Sequence, residues 1–154
     1  MTDLRKGIVN INGLDISRNT PSTEVFDKLE SVCSSYLKTE SGVFEVILFE
    51  NIEISNKKFS VLVHYVMNQL SHITLVSNSN EDATEEERHK EDIEWLNKLL
   101  GEPSKRDDFG IVYKYENLKV SADKYTKDNY EIMETCIRIT YLREKENNQK
   151  ESCK

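Results

Sequence analysis

The chain contains the residue types that carry most enzyme chemistry, but their spacing does not fit the known arrangements. No two histidines form an H-x-x-x-H pair, and the cysteines lie too far apart in sequence to follow zinc-ligand spacing. There is no Gly-x-Ser-x-Gly nucleophile motif, and five scattered glycines cannot build a phosphate-binding loop. These observations predict no metal, no cofactor and no catalytic activity. The histidines are His64, His72 and His89, and the cysteines are Cys33, Cys136 and Cys153.

An acid–base pair is the catalytic arrangement that the sequence leaves open. The chain has 28 Asp and Glu residues, so carboxylate abundance alone discriminates nothing. Small α+β cone folds can work as isomerases or dehydratases through a carboxylate–histidine pair in a pocket. Asp128 or Glu131 beside His64 would be such a pair, although their spacing does not favour it. A small-molecule-binding or enzymatic cone-type fold is therefore the alternative hypothesis.

Composition and charge restrict the class of partner. The net charge of −7 and pI near 5.1 disfavour nucleic acid and anionic membranes, and they fit either a basic protein partner or simple solubility. At 154 residues the chain is expected to form one domain. The amino-terminal residues have no signal-peptide pattern, and no apolar run is long enough to cross a membrane. A cytoplasmic location is the expectation.

Most of the net charge lies in the segment EDATEEERHKEDIE, residues 81–94. It holds eight acids against two bases. Acids stabilise a helix amino terminus through the helix dipole, which explains Glu85–Glu87 but not the remaining acids. A solvated helix face is one interpretation, and a patch that docks a basic surface is the other. Tyrosines of the second half are further contact candidates. The predicted partner-binding residues are Glu81, Asp82, Glu86, Glu87, Asp92, Tyr113 and Tyr115.

Periodicity and capping patterns predict two helices separated by strands. Val25, Leu29, Val32 and Tyr36 recur at helical spacing after Thr20-Pro21, which predicts a helix over about 21–37. A Thr84-x-x-Glu87 capping box predicts a second helix that ends at Gly101. The predicted strands are 7–16 around an Asn-Gly turn, a meander of three or four strands over 43–76, and strands in 109–122 and 130–142.

A similarity between the two halves predicts how these elements combine. Glu50-Asn51 precedes Glu116-Asn117 by 66 positions, and the apolar positions change face after each pair. A two-residue hairpin turn explains this change, with a β-bulge as the alternative. The predicted fold is α+β, with two tandem helix-plus-antiparallel-meander repeats forming one sheet and both helices on one face. The predicted domain is 1–142, with repeats at about 20–76 and 84–142, followed by a charged tail over 143–154.

Three short motifs carry a resemblance to a known fold. They are the helix end Leu100-Gly101-Glu102-Pro103, the hairpin Tyr113-Lys114-Tyr115 and the strand start Leu118-Lys119-Val120. With the duplicated order of elements, they resemble the β-lactamase-inhibitor-protein-like fold, which includes cytosolic bacterial toxin-immunity proteins. The first half lacks the Gly-x-Pro step, and no functional residue can be transferred.

The resemblance implies a protein that binds without catalysing a reaction. The expected function is that of an immunity protein that neutralises a basic toxin domain, a nuclease being one such toxin. The expected contacts are the sheet face left open by the helices and the acidic start of the second helix. An assembly adaptor, which would expose an apolar patch instead, is a third hypothesis.

Overall fold

The computed structural model describes residues 1–78, 82–126 and 133–143. Its helices are α1 (Ser22–Leu29) and α2 (Glu85–Leu100), with a short 3-10 turn at Leu4–Lys6. Its strands are β1 (Val9–Ile11), β2 (Leu14–Ile16), β3 (Ser35–Lys38), β4 (Phe44–Ile54), β5 (Lys57–Val66), β6 (Gln69–Ser77), β7 (Lys105–Asp107), β8 (Gly110–Tyr115), β9 (Leu118–Thr126) and β10 (Met133–Tyr141). The predicted contact Glu81 and the acid–base candidates Asp128 and Glu131 lie outside the described residues.

Eight of the strands form one antiparallel sheet, and the fold is α+β as predicted. The order across the sheet is β3-β4-β5-β6-β10-β9-β8-β7, so the two meanders meet along β6 and β10. Strands β1 and β2 form a separate hairpin around the predicted Asn12-Gly13 turn.

The core lies on the sheet face that carries the odd-numbered residues of β5. Phe59 packs edge-to-face on Trp95 of α2, with ring centroids 5.0 Å apart. On the same strand, the buried Tyr65 hydroxyl donates to the Thr20 carbonyl just before α1, at 2.7 Å. Alternate residues of a strand share a face, so both helices lie over this face. The opposite face is called the open face below.

The second helix begins and ends as its capping residues predict. The Thr84 side chain accepts a hydrogen bond from the Glu87 backbone N–H at 3.1 Å, which satisfies one of the unpaired donors of the first turn. Gly101 follows the last residue with φ 83°, a conformation that costs glycine little.

The first helix is much shorter than predicted. It ends at Leu29 instead of about residue 37, and Tyr36 belongs to the edge strand β3. Tyr36 still packs on Phe26, with ring centroids 4.7 Å apart, so its apolar spacing reflects a real contact made from a strand. Val32, predicted for the apolar helix face, is 43% exposed. Backbone pairing with β4 outweighs the helical pattern here.

The repeated Glu-Asn pair forms two different structures. Glu116-Asn117 is the predicted two-residue turn between Tyr115 and Leu118, with φ 64° at Asn117. Glu50-Asn51 instead lies inside β4, where the register with β5 shifts between Phe49 and Ile52. The alternative, a β-bulge, is therefore correct for the first half, and the meander over 43–76 has three strands. The turn after β4 is Ser55-Asn56, so the offset of 66 does not align the corresponding hairpins.

Candidate functional site

The outward side of α2 is acidic. Glu86, Glu87, Glu91 and Glu94 are exposed, and Asp82 is exposed just before the helix. These five residues are called the acidic face. Glu86 forms an ion pair with Lys124 at 3.1 Å while its side chain stays 78% exposed, and Lys124 belongs to β9. Three predicted contact residues, Asp82, Glu86 and Glu87, thus lie together on the surface.

Asp92, the third predicted contact on this helix, lies inside the fold. It is 1% exposed, and its Oδ1 accepts from Lys57 Nζ at 3.2 Å. Its Oδ2 has no hydrogen-bond partner among the described residues. Burial raises the pKa of Asp92 to about 6, although Lys57 opposes the rise. Because this carboxylate is buried, a partner protein could contact it only if the fold around it opened.

The predicted tyrosine contacts lie on the helix side of the sheet. Tyr113 is 2% exposed, and its hydroxyl is 2.6 Å from Asn97 Oδ1 and 2.9 Å from the Gly101 carbonyl oxygen. It therefore holds the end of α2 against β8. Tyr115 is partly buried against the same core. Neither residue lies on the acidic face.

A shallow groove runs beside Trp95, next to the acidic face. Its volume is about 760 Å³, and Glu91 and Glu94 line it together with Lys57 and Lys98. The indole is held in place because it packs on Phe59 and its Nε1 donates to the Ser55 carbonyl at 3.4 Å. An ordered, partly exposed indole in a groove that Glu91 and Glu94 also line can accept a lysine or arginine side chain through cation–π and ionic contacts. This surface is called the Trp95 groove.

The open face of the sheet changes character from one half to the other. Cross-strand partners share a face, so the register traces two rows across it. The first row reads Leu37, Val46, His64, His72, Thr140, Lys119 and Lys114. The second reads Ser35, Leu48, Leu62, Thr74, Arg138, Ser121, Val112 and Lys105.

The charges in these rows are positive. Lys114 and Lys119 are exposed and directly opposite each other, a pairing of like charges that costs stability. Asp107 and Asp123 are acids of this face; Asp107 lies 3.9 Å from Lys105, and the Asp123 carboxylate accepts from Ser121 at 2.8 Å. Because cations outnumber these acids, a basic partner is disfavoured on the second half of the open face, although a contact on the open face was the expectation from sequence. The second half of the open face and the acidic face thus differ in the sign of their charge.

A pair of stacked histidines lies at the centre of the open face. His64 and His72 are cross-strand partners whose ring centroids are 4.0 Å apart, with an angle of 19° between the rings. Burial lowers the pKa of His72 to about 4, with further contributions from His64 and Arg138. Burial and Arg138 also lower the pKa of His64. Both rings are thus neutral at pH 7.

Sequence reasoning missed the Trp95 groove and the histidine pair. The Met67-Asn68 turn between β5 and β6 would by itself place His64 opposite Ser71. A register shift next to His64 moves the partner to His72. Asn68 and Gln69 interrupt the apolar pattern of the meander predicted over 43–76 and indicate the hairpin, but nothing in the sequence indicates the shift.

Comparisons with protein-family models, with curated proteins and with solved structures find no significant match for the chain. Within the described ranges, no group of three or more His, Cys, Asp or Glu side chains is placed to hold a metal ion. None of the helices in that part of the chain is both long and apolar enough to span a membrane.

Proposed function

We propose that this chain is a non-catalytic binding protein that engages a basic protein partner through the acidic face and the Trp95 groove. The groove is the observation that carries the proposal. Trp95 supplies a large ring fixed by Phe59, and Glu91 and Glu94 supply negative charge beside it. Tryptophan is enriched at the centre of interfaces, where a few residues contribute most of the binding energy.

The specific form of the proposal is an immunity protein that neutralises a basic toxin domain, such as a nuclease. An acidic surface can occupy a cleft that binds phosphates, and it accelerates association through long-range attraction. We further propose that the two halves arose by duplication within a β-lactamase-inhibitor-protein-like fold. The supporting observation is the element order, in which each helix precedes four strands and the two groups of strands meet at β6 and β10.

The test is co-expression of the tagged chain with the carboxy-terminal domain encoded by its upstream neighbouring gene. Binding is measured by calorimetry at about 50 mM and about 500 mM NaCl, because screening weakens exposed charge pairs. We expect tight binding that weakens with salt, and growth rescue of cells that express the toxin domain.

Matched charge reversals locate the contact. Glu87→Lys combined with Glu91→Lys is expected to weaken binding at least about tenfold. Asp27→Lys combined with Glu30→Lys makes the same charge change at exposed positions in and directly after α1, and it is expected to have little effect. Equal losses in both pairs would contradict the acidic face as the contact, and no complex at either salt concentration would contradict the toxin partner.

A further inference from the structure

A cavity of about 480 Å³ opens where β6 and β10 separate. The paired register between these strands ends at Leu75 opposite Ile137, although β6 continues to Ser77. Beyond this point, β10 forms hydrogen bonds with the first turn of α2. Glu85 Oε2 accepts from the Thr135 backbone N–H at 3.1 Å and from its hydroxyl at 3.2 Å. A helix carboxylate thereby replaces the missing strand carbonyl, and the space beside it is the β6–β10 cavity.

Two buried donors line this cavity without a partner. Arg88 Nη1 donates to Glu85 Oε1 at 3.2 Å, but the buried Arg88 Nε has no hydrogen-bond partner among the described residues. The same holds for Ser77 Oγ, in a residue that is 8% exposed. A buried donor without an acceptor loses the free energy of its hydration. Both atoms would be satisfied by an oxygen acceptor bound in the cavity.

The charges around the cavity favour an anion. Arg88 and Arg138 both line it, while Glu85 is the carboxylate of the described lining residues. Both oxygens of Glu85 already accept hydrogen bonds from Arg88 and Thr135. His64 and His72 add no negative charge, and their ring nitrogens can donate to an acceptor. With both Glu85 oxygens engaged, the open donors Arg88 Nε and Ser77 Oγ favour an acceptor that carries negative charge, because hydrogen bonds between charged groups are stronger than those between neutral ones.

The remaining lining is apolar. Leu62 and Val76 contribute side chains from the open face, beside the flat surface of the stacked histidine rings. The volume lies within the range of cavities that hold small organic molecules, and such cavities combine an apolar lining with a few convergent polar groups. An inorganic ion would leave this apolar part unoccupied.

We propose that the β6–β10 cavity binds a small organic anion, in which one carboxylate or phosphate group accepts hydrogen bonds from Arg88 Nε and Ser77 Oγ and an apolar body packs on Leu62 and Val76. The cavity shares no lining residue with the Trp95 groove. The inference therefore does not depend on the proposed protein partner.

The test is an NMR titration of the full chain with three probes. Phenylacetate carries the proposed anion and apolar body, phenylacetamide has the same body without charge, and inorganic phosphate has the charge without the body. We expect phenylacetate alone to shift the imidazole resonances of His64 and His72 at millimolar concentration, and to raise the pKa of His72 because a bound anion stabilises the imidazolium.

Variants connect the signal to the donors. Arg88→Gln is expected to weaken phenylacetate binding about tenfold or more, and Ser77→Ala to weaken it to a smaller extent. Arg106→Gln makes the same substitution at an exposed position of β7 and is expected to change binding less than about twofold. Circular dichroism confirms that each variant is folded.

Four results would overturn the inference. Absence of imidazole shifts up to about 10 mM phenylacetate would exclude the site at useful affinity. Equal binding of phenylacetamide would refute the anionic requirement, and binding of phosphate without phenylacetate would refute the apolar one. Equal losses in Arg88→Gln and Arg106→Gln would show a general charge effect rather than a built site.

Discussion

At the scale of single residues, Asp92 is a carboxylate in surroundings that suit a neutral group. Its Oδ2 lacks a hydrogen-bond partner among the described residues, and Lys57 is its cationic neighbour. Removing one member of a buried ion pair costs more than replacing the pair, because the remaining charge is left uncompensated. Asp92 therefore matters for stability, although its place in an acidic segment favours a surface role.

The first prediction concerns the pH dependence that Asp92 imposes. Its pKa is raised from 3.8 to about 6, so the folded state holds a proton that the unfolded state has released between these values. Stability contributed by protonated Asp92 is present at low pH and is lost as pH rises through about 6. Wild type loses this stability between pH 4 and pH 7, and Asp92→Asn does not. The free energy of unfolding of Asp92→Asn minus that of wild type should therefore rise by on the order of 2 kcal/mol between these pH values. Urea unfolding at both pH values measures the difference, and Asp27→Asn on the surface should show none.

The second prediction concerns the stacked histidines, whose effect has the opposite sign. The pKa of His72 falls from 6.5 to about 4, so the unfolded state takes up a proton first as pH decreases. When pH is lowered from 7 to 5, the free energy of unfolding of wild type should fall by about 1 kcal/mol more than that of His72→Gln. This value includes a reduction for the partial exposure of the ring to solvent. Urea unfolding checks this value. An identical pH dependence in both proteins would show that the ring is not desolvated in solution.

At the scale of elements, the sequence predicts α2 well because its signals are local. The Thr84 cap, the acidic first turn and Gly101 each act within one turn of the helix. The predicted length of the first helix is wrong for a non-local reason. Tyr36 fits the apolar spacing of that helix but lies in strand β3, which pairs with β4. Edge strands β3 and β7 are short and polar, so their own residues indicate them weakly.

The third prediction concerns the turn formed by Glu116-Asn117. Asn117 has φ 64°, and its carbonyl accepts from the Leu142 backbone N–H at 2.9 Å, so the turn depends on its backbone rather than its side chain. Asn117→Gly should change the free energy of unfolding by less than about 0.5 kcal/mol, whereas Asn117→Val should lower it by about 2 kcal/mol. Thermal unfolding measures both. A stable Asn117→Val variant would mean that the turn can adopt another conformation at no cost.

The fourth prediction concerns the close approach of β8 and β9 at Gly110. A Cβ added there would lie 1.8 Å from the Ala122 carbonyl oxygen, and φ is +152°. Gly110→Ala should destabilise the fold by at least about 2 kcal/mol, because backbone must move. Gly13→Ala is the control, since φ is +94° there but no atom lies within 4 Å of the added Cβ. Equal losses at both positions would attribute the effect to φ alone.

At the scale of the whole molecule, acidic and basic residues lie mainly on two different surfaces, the acidic face and the second half of the open face. The amino-acid composition gives only their sum. The net charge of −7 favours a basic partner, and the acidic face agrees with it. The open face nevertheless presents Lys105, Lys114, Lys119 and Arg138 across its second half. In the first half, which residues share a face depends on the register shifts in β4 and β5. These shifts arise from pairing across strands, so that half of the open face could not be predicted from the sequence, whereas the fold class could.

The last prediction is that the two halves unfold together. Trp95 on α2 covers Phe59 of β5, and Asp92 on α2 pairs with Lys57 of the same strand, so an element of the second half completes the core of the first. The Tyr141 hydroxyl also donates to the buried Gly7 carbonyl at 2.6 Å, which ties β10 to the amino-terminal segment. Because Trp95 is the single tryptophan, its fluorescence reports this junction. Its urea midpoint should coincide with that of far-ultraviolet circular dichroism, as two-state unfolding requires. A fluorescence change at lower urea would instead mean that α2 separates from β5 before the sheet unfolds, which would contradict cooperative unfolding of the two halves.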